Sequence, residues 1–349
     1  MNSPVRERTG HHRSGSASGQ GEGRAHAKAI LLGEHSVVHG TPAIAFPVPT
    51  LSVRALARPG SAGAVSEAPA DGHFRFTAGA TVATDPTPSG PRVAVEEALR
   101  RWGISDDPVE VLVECAIPLA RGLGSSAACA GAAVRAVADL HGRTLDPATL
   151  YDLVQCGEQV AHGRASGIDA RAVLSDGPIR FQRGTAAPMT IGVDAVLVIA
   201  DTGAPGSTQQ AVAGVRRTLE RDRAAAQRLL TRASGLIEAA AADLSAGRAR
   251  SLGRAMVDFQ ELLAELGVST AHIDSLVTAA LGAGAYGAKL TGAGLGGCVL
   301  ALAEAPLVPD VRAALRHAGA AQTWTLPTRA LRSGATSSPA STPELGTNP

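Results

Sequence analysis

The chain has 349 residues, with 32 Lys+Arg against 31 Asp+Glu for a formal charge of +1, a balance that argues against a protein that grips a nucleic-acid backbone. Hydrophobic residues make up 45% and charged residues 18%, enough apolar material for a large core and too much for a disordered chain. Aromatics are only 3% against 40 Gly, so the core must use Ala, Val, Leu and close backbone packing, and because single cores stop growing at roughly 250–300 residues, two domains are expected.

Residues 1–23 hold Gly, Ser, Arg and His without apolar periodicity and are expected to be a disordered arm. The spans 29–32 and 43–57 read as strands, followed by a loop over 59–71 rich in Ser, Gly, Ala and Pro. A helix is predicted over 93–102, ending at Gly103, and Val109–Cys115 alternates apolar and polar residues as a half-buried strand does. A small-residue helix then runs over 125–141, with Gly142 as its C′ residue. Asp146 and Pro147 form an N-cap and N1 pair for a helix reaching His162, with Gly163 beyond its end.

On that last helix Leu150, Leu153, Val154, Gly157, Val160 and Ala161 share one face, and Glu158 lies at its margin, about 80° from Leu150, where an acid points toward a cleft. A buried strand over 194–200 opens the second domain, so the division is 24–192 and 193–332. Helices are predicted over 207–232, 233–246, 249–266 and 271–283, with a strand at Cys298–Ala303. The Ser/Thr/Pro/Gly tail 333–349 is expected to be disordered. Cys115, Cys129, Cys156 and Cys298 are widely spaced with no C-x-x-C pair, which reads as a reducing compartment and no structural zinc. With no run of 18 apolar residues and no apolar stretch behind the basic N-terminus, the expectation is a cytoplasmic protein with neither membrane nor nucleic-acid partner.

Four strings carry chemistry. The strongest is 118–128, PLARGLGSSAA, a Gly- and Ser-rich turn between a predicted strand and a helix. Glycines let backbone approach an anion, the first N–H groups of the helix lack partners, and Ser125 and Ser126 add hydroxyls for phosphate or magnesium. It is neither a Walker A loop nor a dinucleotide fingerprint, which removes a dehydrogenase from consideration. The second string, 289–298 (KLTGAGLGGC), is either a second anion nest or a flexible hairpin. In the third, 28–40 (KAILLGEHSVVHG), Lys28 could stabilise phosphate charge, and Glu34 and His35 could hold a hydroxylated acid; His35 and His39 imitate a metal pair but lack a third ligand. The fourth, 158–169 (EQVAHGRASGID), supplies two carboxylates, Glu158 and Asp169, suited to one metal ligand and one group that orients or deprotonates an attacking hydroxyl.

In this order the four strings resemble the GHMP kinases, a family of small-molecule kinases, over residues 24–332. Within it, 33–45 (GEHSVVHGTPAIA), 162–169 (HGRASGID) and 201–212 (DTGAPGSTQQAV) are most similar to the members that phosphorylate mevalonate, in their bacterial form. The resemblance implies ATP-dependent transfer to the primary 5-hydroxyl of (R)-mevalonate, a step of isoprenoid precursor synthesis. It implies an α+β fold of two domains: an N-terminal one with a left-handed β-α-β unit, where periodicity alone suggests right-handed crossovers, and a C-terminal ferredoxin-like one. It makes Asp169 the catalytic carboxylate and sets Lys28 beside it. Pro118, Arg121, Gly122, Leu123, Gly124, Ser125, Ser126 and Ala127, with Gly292 and Gly294, would bind ATP; Ser126 and Glu158 would hold Mg²⁺; Glu34, His35 and Thr208 would lie near the mevalonate carboxylate and 3-hydroxyl.

Two departures stand out. His26 and Ala27 precede Lys28 where the family has Pro-Gly, and Leu295 interrupts the third motif's glycine run at a backbone position that wants positive φ. The rival readings are a sister kinase acting on phosphomevalonate or a sugar, and a non-catalytic family member that senses a ligand. The Glu34-His35 pair argues against a second substrate phosphate, and retention of Lys28, Ser126, Glu158 and Asp169 argues against lost catalysis. A monomer and a homodimer both remain open.

Overall fold

The computed structural model describes residues 19–60, 67–70, 73–79, 89–162 and 166–332, so the tail, Gly163, most of the N-terminal arm and part of the 59–71 loop lie outside the described residues. Two sheets organise the molecule. The first contains β1 (Gly21–Leu32), β2 (Ala43–Pro59), β3 (Glu67–Ala70), β4 (His73–Ala78), β5 (Val109–Cys115), β6 (Ile179–Gln182) and β7 (Thr185–Pro188). Its path is β3-β4-β5-β2-β6-β7, with β1 paired to β2. Both β5 and β6 run antiparallel to β2 and therefore parallel to each other. They are joined by α2 (Ser125–Leu140), α3 (Pro147–His162) and α4 (Ile168–Val173), while α1 (Gly90–Trp102) leads into β5.

The second sheet is antiparallel, ordered β11-β8-β10-β9 from β8 (Val196–Asp201), β9 (Gly287–Thr291), β10 (Cys298–Ala303) and β11 (Gln322–Pro327). Its helices are α5 (Thr208–Arg221), α6 (Arg223–Ala246), α7 (Ala249–Glu265), α8 (Ala271–Gly282) and α9 (Val308–His317). No helix among the described residues is long and apolar enough to cross a membrane.

The first sheet is built around α2, whose small residues from Ala127 to Val134 are all buried. A helix that is apolar all round belongs in the interior. β1 lies directly on it: a Cβ at Gly23 would stand 2.0 Å from the Ala132 carbonyl oxygen. β1 therefore starts at Gly21, eight residues before the predicted strand at 29, and residues 21–23 of the expected disordered arm are in the sheet. The reason is readable afterwards. Gly21, Gly23, Ala25 and Ala27 alternate with Glu22, Arg24 and His26, the small residues buried and the polar ones on the opposite, less buried face, a period-2 pattern written in Gly and Ala.

Three further boundaries differ from expectation. The helix break predicted at 232/233 falls at Asp222, whose carboxylate caps α6 by accepting from the N–H groups of Ala224 (2.8 Å) and Ala225 (3.0 Å). The 59–71 loop contains β3, paired with β4. On α3, Leu150, Leu153, Val154 and Gly157 are buried as predicted, but Val160 is 51% exposed. α1 meets α3 at the Gly90–Gly157 contact, beyond which Gln159 and Val160 are exposed; the side chain of Ala161 lies outside the described residues. Elsewhere local chemistry sufficed: Asp146 accepts from Ala148 (3.0 Å) and Thr149 (2.9 Å) at the start of α3, and Gly142 takes φ 61° just past α2.

Gly23→Ala is expected to lower unfolding stability by about 1–3 kcal/mol, since the methyl group must push β1 off α2. Urea unfolding monitored by circular dichroism checks this, and an unchanged midpoint would mean that the strand does not rest on the helix.

Candidate active site

The two sheets meet where the two glycine-rich loops touch, Gly122 against Gly292, and the contact forms the floor of a cleft of about 380 Å³. Lys28, Glu34, His35, Gly122, Glu158, Asp169, Thr208 and Gly292 all line it, so four strings spread over the whole sequence converge. Lys28, near the middle of β1, is 1% exposed; its Nζ lies 3.0 Å from Asp169 Oδ1 and donates to the Gly122 carbonyl at 2.9 Å. Asp169 stands in the first turn of α4, two residues after the turn-forming Gly167, with its side chain 38% exposed. A buried ammonium paired with a half-open carboxylate is an arrangement for a hydroxyl that must lose a proton beside a phosphoryl group.

The loop before α2 is shaped around that lysine. Gly124 has φ 75°, and a Cβ there would meet Lys28 Cγ at 2.9 Å. The Lys28 N–H also donates to the Leu123 carbonyl at 3.0 Å, which ties β1 to the loop by backbone. The first intrahelical bond of α2 runs from Ala128 N–H to the Gly124 carbonyl, leaving the N–H groups of Ser125, Ser126 and Ala127 without intrahelical acceptors. With the helix dipole they form a surface of free donors suited to an anion. The side chains of Leu123 and Ala127 are in the core, so these residues offer backbone only, and Pro118, Ser125 and Ser126 are not among the residues that line the cleft.

An adjoining cavity of about 260 Å³ is lined by Arg121, Gly122, Thr208, Gly294 and Gly297, joining both glycine loops to the start of α5. Arg121 is tied there to Asp201 at the end of β8, Nε to Oδ1 at 2.8 Å, so it fastens the phosphate loop to the second sheet. Leu295 does adopt the left-handed conformation, φ 57°, and its N–H donates to the Val268 carbonyl at 2.8 Å. The loop thus takes a glycine-like conformation at a cost of roughly 1–2 kcal/mol for a non-glycine residue there.

Glu34 and His35 are held differently from what sequence suggests. Glu34 is sealed from solvent and paired with Lys289 of β9, equally buried, while its second carboxylate oxygen Oε2 has no hydrogen-bond partner. Burial pushes the Glu34 carboxyl up and the Lys289 ammonium down, each opposed by the charge of the other. His35 has a left-handed backbone, φ 61°, and its Nε2–H donates to the Ala293 carbonyl at 2.8 Å. Burial lowers its pKa to about 4, so the ring is neutral at physiological pH, with Nδ1 left as an acceptor.

Ser126 Oγ and Glu158 are hard oxygen donors suited to Mg²⁺. A Cβ on Gly90 would meet both Ser126 Oγ (3.2 Å) and the backbone carbonyl of Gly157 (3.1 Å), so the start of α2 packs near the turn of α3 that carries Glu158. The donor set fits a divalent cation. Cleft residues that sequence reading passed over are Gln155, Ser166, Gln209, Val212 and Arg216. Gln209, Val212 and Arg216 lie on the same face of α5 as Thr208, a signal the helical period could have supplied.

Comparison with known proteins agrees with this geometry. The family model described as GHMP kinases N terminal domain matches residues 91–177, and that described as GHMP kinases C terminal matches 237–321. A curated mevalonate kinase of Aeropyrum pernix is 36% identical over 280 residues, covering 79% of this chain and 86% of its own. The chain belongs to the GHMP kinase family. Among solved structures, this GHMP kinase is similar to L. major mevalonate kinase in complex with R-mevalonate, at TM-score 0.74 and 24% identity, covering 89% of this chain and 98% of that one. It is similar also to mevalonate kinase from Staphylococcus aureus MRSA252, at TM-score 0.64 and 29% identity, covering 90% and 100%. The two-domain GHMP kinase fold is thereby established, and the two sheets are its mixed α/β halves.

The buried neutral state of His35 has a pH signature. Its folded pKa lies below the ordinary 6.5, so between pH 6.5 and about 4 the unfolded chain binds a proton that the folded one does not, and stability is lost as pH falls through that window. His35→Asn, which tolerates the left-handed backbone, should show a shallower decline between pH 7 and 4.5 in urea unfolding. Parallel curves would mean that His35 is not a buried neutral ring.

Proposed function

We propose that this GHMP kinase transfers the γ-phosphoryl group of ATP to the primary 5-hydroxyl of (R)-mevalonate, giving 5-phosphomevalonate and ADP, with Mg²⁺ as cofactor. The observation that carries the reading is the Lys28–Asp169 pair, 3.0 Å apart, in the cleft where the two glycine loops meet. The identity of relatives named mevalonate kinase, 36% for the Aeropyrum pernix protein, supports the choice of acceptor.

Asp169 accepts a hydrogen bond from the 5-hydroxyl and takes up its proton as the new O–P bond forms and the bond to the β-phosphate oxygen breaks. Lys28, fixed by Gly122, neutralises charge on the transferring phosphoryl group. The N–H groups opening α2, with the backbone of Gly122, Gly124, Gly292 and Gly294, cradle the phosphates. Ser126 and Glu158 would hold Mg²⁺, which when bound offsets charge on the β- and γ-phosphates. Glu34 and His35 stand in the wall on the side of the 3-hydroxyl. The domain boundary we infer lies at 192/193, with the first half extended from 24 back to Gly21 where its sheet begins, the second running over 193–332, and the cleft between the halves.

ADP release should be strong with mevalonate and negligible with phosphomevalonate, galactose or homoserine at equal concentration; turnover with another acceptor alone would replace the substrate. Asp169→Asn should reduce kcat by about 10³-fold or more with ATP affinity within threefold of wild type, because charge and basicity go while volume stays. Retention of a tenth of wild-type kcat would remove Asp169 from the chemistry.

A further inference from the structure

α3 turns one of its faces toward the site. At about 100° per residue, Tyr151, Gln155 and Glu158 fall within roughly 60° of one another around its axis. Gln155 and Glu158 line the cleft, while Tyr151, one turn before Gln155, meets α4. The guanidinium carbon of Arg171 lies 3.5 Å from the centroid of the Tyr151 ring. The Tyr151 hydroxyl lies against Gly167, so close that a Cβ there would stand 2.4 Å from it. One side chain of α3 therefore touches both the residue that caps α4 and a residue of its last turn.

Asp169 stands between those two contacts. α4 has only six residues, and a helix that short does not hold its own shape in water. Gly167 opens it at φ 89° with no side-chain cap bond, so nothing local locks its start. Ile168, Ala170, Ala172 and Val173 are buried, and the Arg171 N–H donates to the Gly167 carbonyl at 3.1 Å, which closes 167–171 into one hydrogen-bonded turn. Apolar burial is non-directional and leaves the rotation of that turn loosely set. Arg171 follows Asp169 by two positions, about 200° around the axis. Pinning it to a ring fixes the rotation of α4, and with it the direction in which the Asp169 carboxylate leaves the helix. The Arg171 Nε is buried with no hydrogen-bond partner among the described residues, so the face of the ring is the contact that holds the guanidinium.

We infer that Tyr151 and Arg171 are positioning residues for phosphoryl transfer: their stack sets the rotation of α4 that aims Asp169 at the acceptor hydroxyl beside Lys28. This deepens the phosphotransfer reading and rests on it. Neither residue lines the cleft, and α3, which presents Glu158, thereby governs the placement of Asp169 as well.

The test uses the full chain with ATP, Mg²⁺ and mevalonate. Tyr151→Leu should lower kcat by about 10- to 100-fold, the range for a reacting group displaced by about 1 Å, with both KM values within threefold of wild type. Tyr151→Phe keeps the ring and should hold kcat within threefold of wild type. Arg171→Met should match Tyr151→Leu, and Arg171→Lys should fall between it and wild type. The double variant Tyr151→Leu/Arg171→Met should lose no more than the larger single loss, because both changes remove one contact. In an Asp169→Asn background, Tyr151→Leu should change the residual rate less than twofold. The chain's other arginine–tyrosine stack, Arg250 at 5.0 Å from the Tyr286 ring in the second half, supplies the control, and Arg250→Met should leave kcat unchanged. If Tyr151→Leu gives no cooperative urea unfolding, the Arg171 variants, which leave the ring in place, decide the matter. An unmoved kcat in Arg171→Met, a loss carried by KM, additive losses in the double variant, or an undiminished further loss on Asp169→Asn overturns the positioning role. Wild-type silence toward mevalonate, or full activity of Asp169→Asn, removes the reading and the pair with it, whereas an inactive Asp169→Asn beside an unmoved Arg171→Met removes the pair alone.

Discussion

The cleft depends on a dry seam between the two halves of the molecule. Lys289 of β9 reaches Glu34 just past β1, both fully buried and 255 positions apart in the chain. Beside it Thr291 Oγ1 donates to the Ile30 carbonyl and accepts from the Ile30 N–H, each at 3.0 Å, and His35 holds Ala293. An ion pair removed from water gains little net stability, since desolvation offsets most of the attraction, but breaking one partner is costly. What it supplies here is position. Either half alone would leave a buried charge unmatched, so the halves dock in one register, and that register brings the glycine loops together.

Because the loops touch through glycines, no side chain occupies the space in which phosphate must sit. Lys28 then has one place to go. It threads past Gly124, is fastened by backbone at Leu123 and Gly122, and emerges against Asp169. The Ala- and Gly-rich composition belongs to the same design: α2 and β1 must lie closer than branched side chains would permit, so that the end of α2 and the middle of β1 converge on one anion. A phosphoryl-transfer site asks little covalent chemistry of a protein and much geometry.

Lys28 and the opening turn of α2 bring positive potential to the glycine loops, while Glu34 and a neutral His35 line the same cleft. Neutrality at His35 follows from burial, and it leaves a ring nitrogen able to accept from a hydroxyl.

Sequence by itself determined most of the local structure and the inventory of reactive groups. Asp146 caps α3 through its own carboxylate, Gly103 and Gly142 end helices with positive φ, and the glycine strings, Lys28, Glu158 and Asp169 carry their chemistry in residue type and spacing. Such features act over a few residues, which is why they are legible in order along the chain. The start of β1 was hidden because its buried face is written in Gly and Ala, whose apolar signal is weak, and only contact with α2 reveals it as a face. Tertiary structure alone decided that Lys289 would neutralise Glu34, that Arg121 would fasten to Asp201 and that Arg216 would face the cleft. Those outcomes depend on which surfaces meet across gaps of 80 to 255 residues. No local propensity encodes such a meeting, because the energy that selects it comes from burying both partners at once.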